Sequence, residues 1–172
     1  MRKKLSILVL SIFILILLPA VSVNAKKPSS SLRGTMDLYF DLFAQWPAEP
    51  VWVGTVDIEG YGVYEMEFYH LSPFKDYSQA SPFVEEFYIY DSLGNVLLGG
   101  PDVGVTTLAN KPPDPCKYRM NGKIEVANEP FSEWLGRNVH MSGKITWQFL
   151  GYDPDGLPIY APETAPGIFR IN

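Results

Sequence analysis

One cysteine and two histidines in 172 residues leave this chain few options for covalent or metal chemistry. With Cys116 alone, no intrachain disulfide can form, so stability has to come from a packed core. A disulfide to a second molecule through Cys116 is the one covalent cross-link left open. His70 and His140, taken with Cys116 or a glutamate, lack the short ligand spacings of a zinc site. Asp153-Pro154-Asp155-Gly156 lacks the later ligands and the terminal glutamate of a calcium loop, and reads as a turn. No metal and no other cofactor is expected. There is no Gly-rich phosphate loop, no serine elbow and no metalloprotease helix, which argues against an ordinary hydrolase or nucleotide enzyme. Basic residues are also scarce, 14 Lys and Arg against 19 Asp and Glu. Without Arg2, Lys3 and Lys4 the formal charge falls from −5 to −8, which disfavours a nucleic-acid partner or an anionic membrane surface.

The first 25 residues read as a secretory signal. Arg2 to Lys4 supply the positive start, Leu5 to Leu18 an apolar run, Pro19 a helix break and Val23-Asn24-Ala25 a cleavage site. Cleavage after Ala25 leaves an exported chain of 147 residues. Uncleaved, residues 5–23 are just long enough to anchor it in a membrane. Residues 26–31 form a polar tether, and 32–172 a single domain.

In that domain the apolar residues recur with a period of two. Leu32, Gly34, Met36, Leu38, Phe40 and Leu42 alternate with Arg33, Thr35, Asp37, Tyr39 and Asp41, a half-buried strand over Leu32 to Phe43. Further strands are expected over Val51–Glu59, Val63–Leu71, Phe83–Asp91, Val103–Leu108, Asn138–Phe149 and Ile168–Ile171. Gly94 lets a tight loop return Phe83–Asp91 into Val96–Leu98. Gly99-Gly100-Pro101-Asp102 reads as a turn, and Gly151 to Gly167, with four prolines, as a loop. Asn121-Gly122 is a strong hairpin dipeptide. A turn there would mix apolar and charged residues on both faces, so Tyr118–Asn128 is expected to run through as one strand. Glu129–Gly136 supplies one helical turn, with Gly136 as its stop. Eight or nine antiparallel strands without a long helix mean an all-β barrel, with a β-sandwich as the alternative. Gly34, Gly54, Gly122 and Gly143, mid-strand on apolar faces, favour the barrel.

The segments WVGTV, YRMNGKIEVA, EPFSEWLG and VHMSGKI, in this order, resemble the calycin-type barrels, in particular the allene oxide cyclase-like group of small β-barrel proteins. The resemblance covers most of the exported chain in outline and matches no catalytic signature. It implies a central cavity used for apolar ligands or small-molecule chemistry.

Glu85 shares a strand face with Phe83, Phe87 and Ile89. A carboxylate among apolar groups has its charged form disfavoured, which suits it to acid–base work, unless an arginine such as Arg119 or a tyrosine hydroxyl pairs with it. His70 follows Tyr64, Met66 and Phe68 on an apolar face, as a hydrogen-bonded core histidine does. Three functions remain in view. The first is a secreted barrel binding a small apolar or amphipathic molecule among Met36, Phe40, Tyr64, Met66 and Phe87. The second is a barrel isomerase, cyclase or lyase using Glu85 with a tyrosine or His70. The third is a surface module recognising carbohydrate or protein through Trp46 and Trp134, placed in loops at the barrel mouth. Trp52 and Trp147 are expected in the core.

Overall fold

The computed structural model describes residues 31–45, 47–72, 81–107 and 112–172. The expected signal segment, nearly all of the tether and Trp46 lie outside them. No helix among the described residues is long and apolar enough to cross a membrane.

Strands β1 (Leu32–Phe40), β2 (Trp52–Ile58), β3 (Gly62–His70), β4 (Ser81–Tyr90), β5 (Val96–Thr107), β6 (Cys116–Lys123), β8 (Asn138–Ile145) and β11 (Gly167–Ile171) make one antiparallel sheet. The sheet closes: β4 pairs with β5, and β11 pairs with both β8 and β1. The molecule is therefore an eight-stranded barrel, not a sandwich. The short β7 (Val126–Ala127) adds to β5 at Leu98 and Gly99. A separate hairpin, β9 (Trp147–Tyr152) and β10 (Pro158–Pro162), stands outside the barrel.

The two-residue period builds the wall. Leu32, Met36 and Leu38 of β1 are buried while Arg33, Thr35, Asp37 and Tyr39 are exposed. The same alternation in β3, β4, β6 and β8 fills the interior with Met66, Phe68, Phe87, Ile89, Tyr118, Met120, Val139 and Met141. Each such side chain contributes roughly 1.5–3 kcal/mol on burial. Trp52 and Trp147 join this core, at 5% and 9% exposure.

Asn121-Gly122 makes no hairpin. It pairs straight through with His140 and Val139 of β8 and with Val103 and Asp102 of β5. The strand is interrupted later, at Ile124 and Glu125, where the backbone bonds to Arg137 and Gly99 instead. Gly122 is required by close approach: a Cβ there would strike the Pro101 carbonyl oxygen and lie 2.8 Å from the Asp102 Cβ. Gly122→Val should therefore destabilise the barrel by about 1–3 kcal/mol, the cost of overpacking, as read from chemical denaturation. A variant as stable as the parent would show that β5 and β6 are not so closely apposed.

The structure corrects four local expectations. Gly99-Gly100-Pro101-Asp102 is not a turn. It lies within the twelve-residue β5, where the glycines let Tyr88 and the Lys123 carbonyl come close. The proline-rich stretch 151–167 contains β10. Pro158 and Pro162 sit at the ends of a strand in a two-stranded sheet, where proline is tolerated. Cys116, the one residue open to a cross-link with a second molecule, begins β6 and is 1% exposed, and burial raises its thiol pKa. That burial removes it as a ready link to a second molecule. Trp134 is not at an exposed mouth. It ends the 3-10 turn Ser132–Trp134 and is 1% exposed. Phe131, from the same segment, packs on Tyr61 and Tyr64 at 4.7 and 5.6 Å between ring centroids. The segment folds in as a plug at the barrel end formed by the β2–β3 turn. Gly136 stops it at φ 77°.

Candidate functional site

The other end of the barrel holds the chemistry. In β3 and β4 the inward parity that buries Phe68, Phe83 and Phe87 also turns His70 and Glu85 inward. They are direct cross-strand partners, each 2% exposed. His70 Nε2 lies 2.8 Å from Glu85 Oε1. Histidine is thus the partner of Glu85. Arg119, the basic residue expected there, points outward and is exposed. The neighbouring Glu86 takes the outer face, where it accepts a hydrogen bond from the Tyr88 hydroxyl at 3.1 Å.

The next strand adds a group that sequence reasoning missed. Asp102 of β5 is the cross-strand partner of Glu85 and is 1% exposed. His70, Glu85 and Asp102 therefore form one row across three adjacent strands, and Gly122 of β6 continues it without a side chain. Neither carboxyl oxygen of Asp102 has a hydrogen-bond donor among the described residues. Burial, and then the charge of Glu85, push its pKa up from 3.8 to about 8. Asp102 is therefore mainly protonated at neutral pH. The signal in the sequence was an aspartate two residues before Gly104 and four before Thr106, all on the inward parity. It was hidden because GGPD is also turn vocabulary.

A cavity of about 30 Å³ lies against His70 and Glu85, lined by Trp52, Phe68, His70, Phe83, Glu85 and Thr106, with Tyr118, Met120, Ile145 and Ala165 completing it; Asp102 is not among its walls and borders a depression with Val84, Asn121 and His140 instead. It has room for one or two water-sized groups and falls far short of a drug-sized pocket. Its walls are mostly hydrocarbon and aromatic. Phe83 and Ile145, each 7% exposed, are among the least covered of the core side chains, which places the cavity close beneath this barrel end.

Tyr118 reaches the site because two glycines make room. Its hydroxyl donates to the Ala165 carbonyl at 3.2 Å, and a Cβ on either Gly143 or Gly167 would collide with it. Burial and the nearby Glu85 raise its pKa above that of an ordinary tyrosine. Larger depressions of about 440 and 530 Å³ lie on the outer wall, among residues such as Arg33, Asp57, Lys123 and His140.

The five residues expected to hold a ligand are spread along the interior. Met36, Met66 and Phe87 are packed core, at 3%, 0% and 0% exposure. Tyr64 stands at the plugged end against Phe131, and Phe40 packs edge-on to Trp52 at 5.0 Å. None of the five lines the cavity. His140 is on the outer face, its Nδ1 2.6 Å from Asn121 Oδ1, and does not meet His70. Among the described residues no three His, Cys, Asp or Glu side chains are grouped closely enough to hold a metal ion. Asp153 makes a turn, its Oδ1 accepting from the Asp155 and Leu157 amides.

No protein-family model matches this chain, and neither does a curated protein or a solved structure.

Proposed function

We propose that this protein is an exported barrel that binds a small amphipathic molecule at the His70–Glu85 end. The compact polar head of the ligand enters the cavity, where His70 and Glu85 meet it among Trp52, Phe68, Phe83 and Met120, and its apolar part stays outside, at this end of the barrel. One observation carries this reading: ionisable side chains from adjacent strands converge on an otherwise apolar cavity, the usual composition of a ligand site. The small volume limits what enters to a compact head. Export is supported by the signal-like residues 1–25, and a ligand in the interior by the resemblance to calycin-type barrels.

Native mass spectrometry of the full chain after gentle purification tests it. Wild type should retain a small molecule, and Glu85→Gln, which keeps the shape and removes the charge, should lose most of it without unfolding. Wild type that retains nothing, and gains nothing from added amphiphiles, would refute the reading. Acid–base catalysis is the second reading. It is favoured by the 2.8 Å contact between Glu85 and a second titratable group in the same cavity. In that case Glu85→Gln should still hold the molecule but no longer convert it.

A further inference from the structure

The outer wall of the barrel is divided by charge. All seven Lys and Arg among the described residues are exposed, and six of them stand on β1, β6, β8 and β11: Arg33, Lys117, Arg119, Lys123, Lys144 and Arg170. Arg137, the seventh, directly precedes β8. These four strands are neighbours in the order β1-β11-β8-β6, and β6, β8 and β11 contain no Asp or Glu. On the far side, β2, β3 and β4 show the reverse: Asp57, Glu65, Glu67 and Glu86 face outward, and no Lys or Arg is present. The net negative charge therefore says little about the basic wall. Glu65, Glu67 and Glu86 lie across the barrel from it, beyond the roughly 8 Å screening length of physiological salt.

Two features of this wall do nothing for the sheet itself. Lys117 is the cross-strand partner of Lys144, and Arg33 of Arg170; like charges directly opposite one another destabilise a strand pair. Arg33, Arg119, Lys123, Lys144 and Arg170 form no ion pair with a carboxylate among the described residues. The row Asn121, His140, Arg170, Arg33 crosses four strands, a span of about 14 Å at the usual strand spacing. Two depressions lie along it. One, of about 530 Å³, has Asn121, Lys123, Asn138 and His140 in its lining; the other, of about 440 Å³, has Arg33, Thr35, Ile168 and Arg170, with Asp57 and Glu59 on its far rim. We propose that this wall docks an acidic polysaccharide, a flexible chain with carboxylates among its hydroxyls.

The chemistry of the wall selects this polymer among polyanions. Arginine grips a carboxylate with two parallel hydrogen bonds, and lysine attracts it as a point charge. Asn121, Asn138 and Ser142 stand between the cations, with amide and hydroxyl groups that pair with sugar hydroxyls. The outward positions of β6, β8 and β11 hold no Phe, Tyr or Trp, so the stacking platform of a single-stranded nucleic acid is missing. A stiff duplex or a flat membrane meets a convex wall only along its crest, whereas a flexible chain follows the row into both depressions. On these three strands Ile168 is the one exposed apolar side chain, too little to anchor in lipid. An acidic peptide would add to a free strand edge or fill apolar pockets, and closure of the barrel leaves these strands no edge. The wall is separate from the His70–Glu85 cavity, and docking on it does not depend on a ligand there.

End-labelled oligogalacturonate, titrated with the full-length protein at pH 7 and followed by fluorescence anisotropy, tests the assignment. Unlabelled oligogalacturonate, neutral dextran, polyglutamate, duplex DNA and phosphatidylserine vesicles serve as competitors. The labelled chain should bind, and dextran should not displace it. Raising the salt from about 50 to 200 mM should weaken binding at least about tenfold, as released counterions are held back. Arg170→Glu should also cost about tenfold, the worth of one charged contact. It places opposite charges across from one another at Arg33, so its melting temperature should equal or exceed that of wild type. Glu65→Lys, on the opposite wall, changes the net charge by as much in the other direction and should leave the affinity within about twofold. If Glu65→Lys strengthens binding as much as Arg170→Glu weakens it, net charge and not the wall governs, and the assignment fails. If polyglutamate, DNA or vesicles displace the label as well as unlabelled oligogalacturonate does at equal charge concentration, the occupant is not an acidic polysaccharide. If the labelled chain does not bind at the lower salt, the inference is overturned outright.

Discussion

Asp102→Asn should make the barrel more stable, and by more as the pH rises. The sign follows from where the proton is held. In the folded protein Asp102 titrates near pH 8 and in the unfolded chain near 3.8. Below pH 3.8 both states are protonated and the group contributes nothing to the difference. Between 3.8 and 8 the folded state keeps a proton that the unfolded chain has released, so stability falls as pH rises. Above 8 the full penalty is present. A shift of this size is on the order of 5 kcal/mol across the interval, comparable to the whole stability of a small domain. Asparagine has nearly the same shape and never ionises. It lacks partners just as the protonated carboxyl does, so the two proteins should be about equally stable near pH 4. Urea unfolding of both proteins at pH 4, 6 and 8 checks this. The curves should meet near the acidic end and diverge upward for the variant. Parallel curves would mean that Asp102 reaches solvent or a donor in solution.

How far the chain could be read in advance follows from the same residues. Period-two alternation located most of the wall, because one face of each strand is buried and a slip of one residue would expose the core. It also put Glu85 and His70 inside. It could not show that they touch, because register between strands is not written in either strand alone. His70 meets Glu85 only because β3 and β4 pair at 66↔89 and 68↔87. Asp102 was lost for a different reason. Glycine and proline normally end a strand, and the reading of GGPD followed that local preference. In the barrel those glycines serve close backbone approach, and tertiary packing overrode the turn propensity. Trp134 misled in the opposite way. A short turn in a loop suggested exposure, and the segment instead folds into the barrel end beside Phe131. The fold was thus legible in outline, whereas the site depends on long-range pairing and on one misread turn.

The largest loss of stability should come from His70→Leu, and comparison with Glu85→Leu tests the row as a unit. Both side chains are 2% exposed and 2.8 Å apart. Removing one member of a buried pair leaves the other without compensation, typically at a cost of about 3–5 kcal/mol. The two single variants should not be equal. His70→Leu leaves Glu85 and Asp102 as adjacent carboxyl groups with no basic neighbour in the row. Glu85→Leu leaves an imidazole, and it also removes the charge that helps raise the Asp102 pKa. It should therefore cost less, about 1–3 kcal/mol for a buried polar group left unsatisfied. The double variant, with leucine at both positions, removes both demands and fills the space with hydrocarbon. It should recover most of the loss, because replacing both partners of a buried polar contact by apolar groups leaves neither unsatisfied and can be nearly neutral. The coupling between the two sites, the sum of the single losses less the small loss of the double variant, should then be about 3–7 kcal/mol and favourable. Melts of the four proteins at pH 7 give the cycle directly. Additive losses, or a Glu85→Leu variant weaker than His70→Leu, would show that the two side chains do not act as a pair and that Asp102 is not coupled to them.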